Sequence, residues 1–407
     1  MIVMTPRKIR RDDVKALSPA DRSMLCSTYL HCCMTGEQAY QHYYRVEREK
    51  RTYADWHIRE MLTKGYLTEQ QYTTKKGVET ALFLTTTGVA LAKRLFSIPS
   101  TELREAPDRC SGYDWKSHDL MLRPTKINHQ VHLNEFSMCL AETLWDVDWS
   151  YYDEKYQQNK SIYSARVRAD AIAELPRNTL YLELDMNTER PAALREKWYG
   201  YQTLFNSNEF FQSAEEKKAT ILFVLDNVTR PEMRTRTVIR TLLESGLLSQ
   251  FGSTVEFQVG TSSEMLRAAR EIAVGTTPQI VEQARKLLKE RHGFREIKPI
   301  RVDGVPEYVL YASLGDDLYA VDFYDALRGS VLSKMLTANR DMVLLQEATG
   351  RKVKHLVVTN FSVELLRYAN LIGCGGMLAN HYADIQDLKA LPFEKAVHKI
   401  DGFGRMV

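Results

Sequence analysis

The 407-residue chain has no apolar run near the ~18–20 residues that a membrane-spanning helix needs. A helical membrane protein is therefore excluded. The opening MIVMTPRKIRR sets a small apolar patch before a basic cluster, the wrong order and length for a secretory signal. A cytoplasmic protein is expected. Cysteine is scarce: Cys26, Cys32, Cys33, Cys110, Cys139 and Cys374 include no CxxC pair and no zinc-finger spacing. Reduced, buried thiols are expected rather than a disulfide scaffold. The glycine cluster GCGGM at 373–377 lacks the spacing of a dinucleotide fingerprint or a P-loop, so no ATP or nicotinamide site is expected.

Strong net charge is also missing: the balance is only +3, with 44% apolar residues, ordinary for a soluble globular chain. The distribution is uneven. Residues 1–100 hold 16 Lys and Arg against 10 Asp and Glu, a surplus of +6, so the rest sums to −3. A basic front on a near-neutral body suits a polyanion-binding module joined to something else, or a solvated basic surface.

The first hundred residues carry clear start and stop signals. In SPADRSMLCSTYLHCC, Ser18 can cap a helix, Pro19 suits its first position and Asp21 sits where a capping-box acid belongs. Thr35 repeats the signal, with Ala39, Tyr40 and Tyr43 directed inward. A third helix is expected from Thr52 as its cap to Gly65, with Ile58, Met61 and Leu62 apolar and Tyr53, His57, Arg59, Glu60 and Thr63 exposed. Two strands then meet across Lys75, Lys76 and Gly77, and TTTGVALAKRL closes with a helix. Three helices followed by a basic-tipped hairpin make the winged helix-turn-helix pattern. One helix fits the DNA major groove, and the hairpin tip reaches a phosphate. Arg59, Lys64, Lys75 and Lys76 are the expected phosphate contacts. Arg10 and Arg11 of the PRKIRR arm add to them. The same pattern also serves protein–protein contacts.

Residues 101–127 have three nearby prolines (Pro99, Pro107, Pro124) and no period, and read as a linker. INHQVHLNEFSMCLAETLWDV is a helix with Leu133, Phe136, Leu140 and Leu144 on one face and His129 a turn before them. Strands follow over DWSYYDEK, RVRADAIAEL and TLYLELDMN. Next come a helix over PAALREKWYGYQTLF, the buried strand ATILFVLDN, a helix over 231–248 and the strand TVEFQVG. The order α, β, β, β, α, β, α, β is that of a mixed α/β core.

In the hairpin RADAIAELPRNTLYLELDMNTE, a four-residue loop over 176–179 pairs Leu175 with Leu180. Alternation then gives one face to Ala171, Ala173, Leu175, Leu180, Leu182 and Leu184. The other face carries Asp170, Ile172, Glu174, Tyr181, Glu183 and Asp185, with Asp170 opposite Asp185. Like charges so placed call for water, a raised pKa or a cation between them. Oxygen ligands of this kind suit a hard divalent ion. A solvated acidic face is the other reading, and a one-residue slip would disperse the cluster.

This order, with an Asp on the second strand and an acid-x-residue pair on the third, resembles the PD-(D/E)xK restriction-endonuclease-like fold. In finer detail the chain resembles the replication-relaxation family of plasmid and mobile-element proteins, related to MobC-type relaxases. The matching pieces are FLTTTGVALAKRL, HQVHLN (His129, Asn134), RADA at 168–171 and LELDMNTE at 182–189, within roughly residues 15–225. The resemblance implies a winged helix over 1–100, the linker at 101–127 and a nuclease-like domain over 128–291. Asp170, Glu183 and Asp185 would hold Mg2+ or Mn2+. Asp185 stands where the nuclease pattern has lysine. Lys197 on the next helix is the candidate to fill that role, with Glu154 a further acid and His129 facing the site. A tyrosine nucleophile would have Tyr151, Tyr152, Tyr199 and Tyr201 near in sequence. Tyrosines are abundant here, and none is singled out.

Residues 262–291 read as helices broken at GTTPQ. A hairpin then turns at Gly315-Asp316, followed by a helix and the strand KHLVVTN. LYAVDFYDALRGSVLSKML…HLVVTN echoes LYLELDMNTERPAALREKW…ILFVLDN, either as a degenerate repeat or as a second α/β subdomain. Residues 292–407 form that smaller C-terminal α/β region, of unassigned role. The expected function is plasmid or mobile-element DNA processing: conjugation or replication through relaxase-like, metal-dependent nicking of a specific duplex site. The alternative is a catalytically inactive DNA-binding protein in transcriptional or replication control. The implied partners are double-stranded DNA and other plasmid-transfer or replication proteins. A palindromic site would call for a homodimer.

Overall fold

The computed structural model describes residues 14–96, 115–153, 169–187, 189–207, 210, 218–251, 255–275, 279–324, 327–359 and 380–399. It forms two compact units. The first holds residues up to 160 together with 170–172, and the second holds 161–169 and everything from 173 onward. Glu154, Arg10, Arg11 and the GCGGM stretch lie outside the described residues. Among the described residues, no helix is long and apolar enough to cross a membrane.

In the first unit, α1 (Pro19–His31) opens with the expected capping box: Ser18 Oγ accepts from Asp21 N–H, and the Asp21 carboxylate accepts from Ser18 N–H. Thr35 and Gln38 make a second box that starts the short helix Gly36–Ala39. The chain then relaxes into a π segment, Tyr40–Tyr44. Helix α2 (Arg51–Thr63) begins one residue before the expected cap. Lys50 holds the capping position and makes no side-chain bond there, while Gly65 ends the helix at φ +70°. Strands β2 (Leu67–Thr74) and β3 (Gly77–Leu84) turn over Lys75 and Lys76, and β1 (Met34–Thr35) pairs with β3, giving the order β1-β3-β2. Helix α3 (Thr86–Phe96) closes this part.

Its core joins Met24, Leu25 and Tyr29 of α1 to Ile58, Met61, Leu84, Leu91 and Leu95. His57 was expected at the surface but is buried. Its Nδ1 lies 2.9 Å from Asp21 Oδ1, and the Tyr44 hydroxyl donates to the same oxygen at 2.7 Å. Buried Asp21 thus closes one helix cap and ties α1 to the π segment and α2. Trp56 takes the exposed position instead.

Helix α4 (Pro124–Thr143) buries Leu133, Phe136 and Leu140, with Leu144 just beyond its end. Asn134, fully buried, donates from Nδ2 to the carbonyls of His31 (3.1 Å) and Cys33 (2.7 Å). Those bonds clamp the turn at Cys32, a non-glycine residue at φ +68°. Strand β4 (Ser150–Asp153) follows.

The second unit takes up β5 (Ala171–Glu174) from Ala173. Its first sheet continues through β6 (Asn178–Asp185), β7 (Lys218–Leu225) and β8 (Val255–Thr261) to β12 (Leu327–Arg328). β6, β7 and β8 are parallel, joined by α5 (Pro191–Phe205) and α6 (Pro231–Ser245), and β12 runs antiparallel at the edge. Such strands are buried on both faces. From Ala219 onward every residue of β7 is buried.

Helices α7 (Ser262–Val274) and α8 (Gln279–Glu290) lead to a second sheet: β9 (Arg295–Ile297), β10 (Leu310–Leu314), β11 (Asp317–Tyr324), β13 (Val353–Thr359), β14 (Asn380–Asp384) and β15 (Val397–His398). The spatial order is β15-β14-β13-β11-β10-β9. After the β10–β11 hairpin, α9 (Gly329–Thr349) crosses to β13. β11, β13 and β14 are parallel, and β15 is antiparallel at the edge. Hairpin, helix, two parallel strands and an antiparallel edge strand therefore occur twice, and the echo seen in sequence is an echo in topology.

Candidate functional site

The hairpin between β5 and β6 is tighter than expected. Leu175 N–H donates to the Asn178 carbonyl at 2.7 Å, so only Pro176 and Arg177 form the turn. Asn178 already belongs to β6, where it pairs with Lys218 of β7. The register that set Leu175 against Leu180, and with it Asp170 against Asp185, is replaced by one displaced by two residues. Alternation survives an even shift, so the faces of β6 stay as assigned.

Neither acid of β6 is solvated. Glu183 is 0% exposed and Asp185 1%. An isolated buried carboxylate costs several kcal/mol, so each needs partners. The helices supply them. Lys197 of α5 places Nζ 2.6 Å from Glu183 Oε2, and the Tyr201 hydroxyl donates to Glu183 Oε1 at 2.5 Å. Positions 197 and 201 are one helical turn apart and share a face of α5. Lys197 Nζ also lies 2.9 Å from Glu189 Oε1, while Glu189 Oε2 is buried without a hydrogen-bond partner. Lys197 thus reaches back from α5 to the strand.

Asp185 is taken by a residue that sequence reading missed. Arg234 of α6, itself buried, donates from Nε to Asp185 Oδ2, and Asn187 N–H donates to Oδ1 at 2.9 Å. Arg234 Nη2 is buried without a partner. Forty-nine residues separate Arg234 from Asp185, and no local spacing links them. Tyr201, among the tyrosines left unranked, is fully buried against Glu183, whereas Tyr199 is exposed.

In the first unit, His129 Nε2 lies 3.5 Å from Asp170 Oδ2, both partly exposed. Arg59 is exposed on α2, and Lys75 and Lys76 are exposed at the hairpin tip. Lys64 makes an i,i+4 ion pair with Glu60 at 2.7 Å.

The second sheet repeats the acid–lysine theme. Asp322 of β11 is fully buried, with Lys334 Nζ of α9 at 2.8 Å and His355 Nε2 of β13 at 3.1 Å. Burial pushes the Asp322 pKa up, but Lys334 and His355 outweigh it and hold it below the usual carboxylate value. Asn380 Nδ2 donates to the Met335 carbonyl, which turns Asn380 Oδ1 toward His355 Nδ1. Each sheet thus buries an acid on the strand before the crossover helix and neutralises it with a lysine from that helix.

No curated protein and no solved structure matches the chain. Residues 25–221, from within α1 to within β7 and including Asp170, Glu183, Asp185 and Lys197, match the sequence model of the family described as Replication-relaxation, and over that segment the chain is similar to the replication-relaxation family.

Proposed function

We propose that the chain processes plasmid or mobile-element DNA. Its first unit binds duplex DNA as a winged helix. Its second unit carries a PD-(D/E)xK-like sheet that nicks or relaxes the duplex with Mg2+ or Mn2+. The observation that carries this reading is the contact of Lys197 with buried Glu183. It brings together an acid on the strand and a lysine, the pair that the nuclease pattern requires, with the lysine coming from the helix.

The order β1-β3-β2 between helices, with Arg59 exposed on α2 and Lys75 and Lys76 at the hairpin tip, supports the DNA-binding half. The donor set of the second unit is of the oxygen type that a hard cation takes: the carboxylates of Glu183 and Glu189 both lie on Lys197 Nζ. A bound magnesium-class ion supplies polarisation of the phosphodiester and a more acidic water. Lys197 keeps positive charge next to the carboxylate, and Tyr201 fixes the carboxylate's orientation. In this reading Asp185 holds Arg234 through Oδ2, and Oδ1, which accepts from Asn187 N–H, is the oxygen it would offer to a cation.

The second reading, a DNA-binding regulator that does not cut, is favoured by one observation: Lys197 and Arg234 already neutralise both β6 acids. One assay pair separates the two. Duplex binding is measured at two salt concentrations, and nicking is followed on a supercoiled plasmid that carries the element's own origin. Metal-dependent nicking that disappears in Asp170→Ala and in Glu183→Gln supports processing. Tight, salt-sensitive binding without nicking supports the regulator. Absence of binding at either salt overturns both.

A further inference from the structure

A second polar cluster lies wholly within the first unit. His42, in the π segment, is nearly buried at its side chain. Facing it, α4 presents Glu135, Cys139 and Glu142, whose spacing of four and then three residues keeps them on one helical face. His42 Nε2 is 3.1 Å from Glu135 Oε1, and Cys139 Sγ is 3.9 Å from the same oxygen. The three ligand atoms of His42, Glu135 and Cys139 all lie within 4.8 Å of one another. The other imidazole nitrogen, Nδ1, is 2.8 Å from Glu142 Oε1.

We propose that His42 Nε2, Glu135 Oε1 and Cys139 Sγ form a binding site for a zinc-class divalent cation. Ligand chemistry selects the class. A thiolate with an imidazole and a carboxylate is a set for zinc or cobalt and unsuited to magnesium or calcium, which take oxygen. Geometry agrees. Bonds of ~2.0–2.3 Å in a tetrahedron set neighbouring ligand atoms roughly 3.3–3.6 Å apart; the edges of 3.1 and 3.9 Å bracket that range, and the third is no longer than 4.8 Å. Glu142 holds the imidazole through Nδ1, which leaves Nε2 to the metal, the arrangement in which a carboxylate orients a metal-binding histidine. Three protein ligands leave the fourth position to water. Nothing in the cysteine spacing of the sequence announces the site, because its histidine comes from a different element 93 residues earlier than Glu135. The cation pins the π segment to α4 and so joins the front of the first unit to its longest helix. It is separate from the cation of the proposed DNA-processing reaction, and the test does not depend on that reaction.

The test uses the full chain, stripped by chelator and titrated with Co2+. One equivalent is expected to give the thiolate-to-cobalt charge-transfer band and the strong visible bands of a tetrahedral ion, both displaced by Zn2+. Cys139→Ser removes the charge-transfer band, and Glu142→Gln weakens binding by about 10–100-fold. His42→Gln is the second variant, and circular dichroism checks each for folding. X-ray absorption on the zinc-loaded wild type needs no variant and is expected to show one sulfur per zinc at about 2.3 Å. A cobalt spectrum without charge transfer, a band unchanged in Cys139→Ser, or a zinc shell of oxygen and nitrogen alone overturns the proposal.

Discussion

Arg234 and Asp185 set the stakes at the scale of single residues. Both are buried, so removing either strands the other's charge in a medium that solvates it poorly. Arg234→Met is expected to cost about 3–5 kcal/mol in urea unfolding, and Arg234→Met combined with Asp185→Leu to recover part of that, since an apolar pair leaves no orphan charge. A double variant no more stable than the single one would rule out this account. His31 gives the pH counterpart. Burial first, and then the nearby His42, lowers its pKa from 6.5 to about 4, and its Nδ1 has no hydrogen-bond partner. The unfolded chain therefore binds the proton more readily. Stability is full above pH 6.5 and falls as pH drops toward about 4, by on the order of 3 kcal/mol. His31→Gln should flatten that stretch of the stability–pH curve. A slope equal to the wild type's would assign the effect to other groups.

Elements follow from local signals where those signals are short-range. Ser18 with Asp21, and Thr35, announced helix starts, and a capping box forms at each, with Gln38 completing the second. Gly315 announced the β10–β11 turn and sits at φ +58°. What failed depended on partners remote in sequence. Asn178 looks like a loop residue beside Pro176, yet pairing with Lys218 of β7 draws it into β6 and shortens the turn. His57 has the polarity of a surface residue, and only Asp21, 36 positions away, makes its burial tolerable. Glu183 and Asp185 could be placed on one face by alternation, but whether that face met water depended on α5 and α6. Gly88 offers a sharper test at this scale. A Cβ there would stand 2.0 Å from the Tyr66 carbonyl oxygen, which is backbone and cannot swing away. Gly88→Ala is expected to destabilise the first unit by about 3 kcal/mol, read as a lower melting temperature, because α3 must lift from the turn that precedes β2.

At the scale of the whole molecule, the modest net charge conceals a division of labour. The surplus of cations in the first hundred residues includes Lys75 and Lys76 at an exposed tip. If each neutralises one phosphate, replacing both with alanine should lower the slope of log affinity against log salt by about 2, with little change in preference among sequences. A slope that does not move would take the tip off the DNA. The family segment ends at residue 221, in β7, so β8 and the whole second sheet lie beyond it. The sequence echo between the halves pointed to that second sheet, but its polar centre was not legible: Asp322, Lys334, His355 and Asn380 come from four separate elements.

The duplicated topology also bears on how the chain reaches its native state. Two hairpins, each leading through a helix to a parallel strand, offer one another near-equivalent edges while both are unpaired. β6 and β11 even share a Leu-Tyr pair near their starts, at 180–181 and 318–319. Parallel pairing across a helix is slow because the intervening loop must close first. During that delay a strand from one copy can dock on the other, within a chain or between chains. The buried acid–lysine pairs act against this exchange. Glu183 stands three residues after Leu180 and Asp322 four after Leu318, so a strand swapped with its Leu-Tyr pair in register would turn its acid to the face away from the lysine.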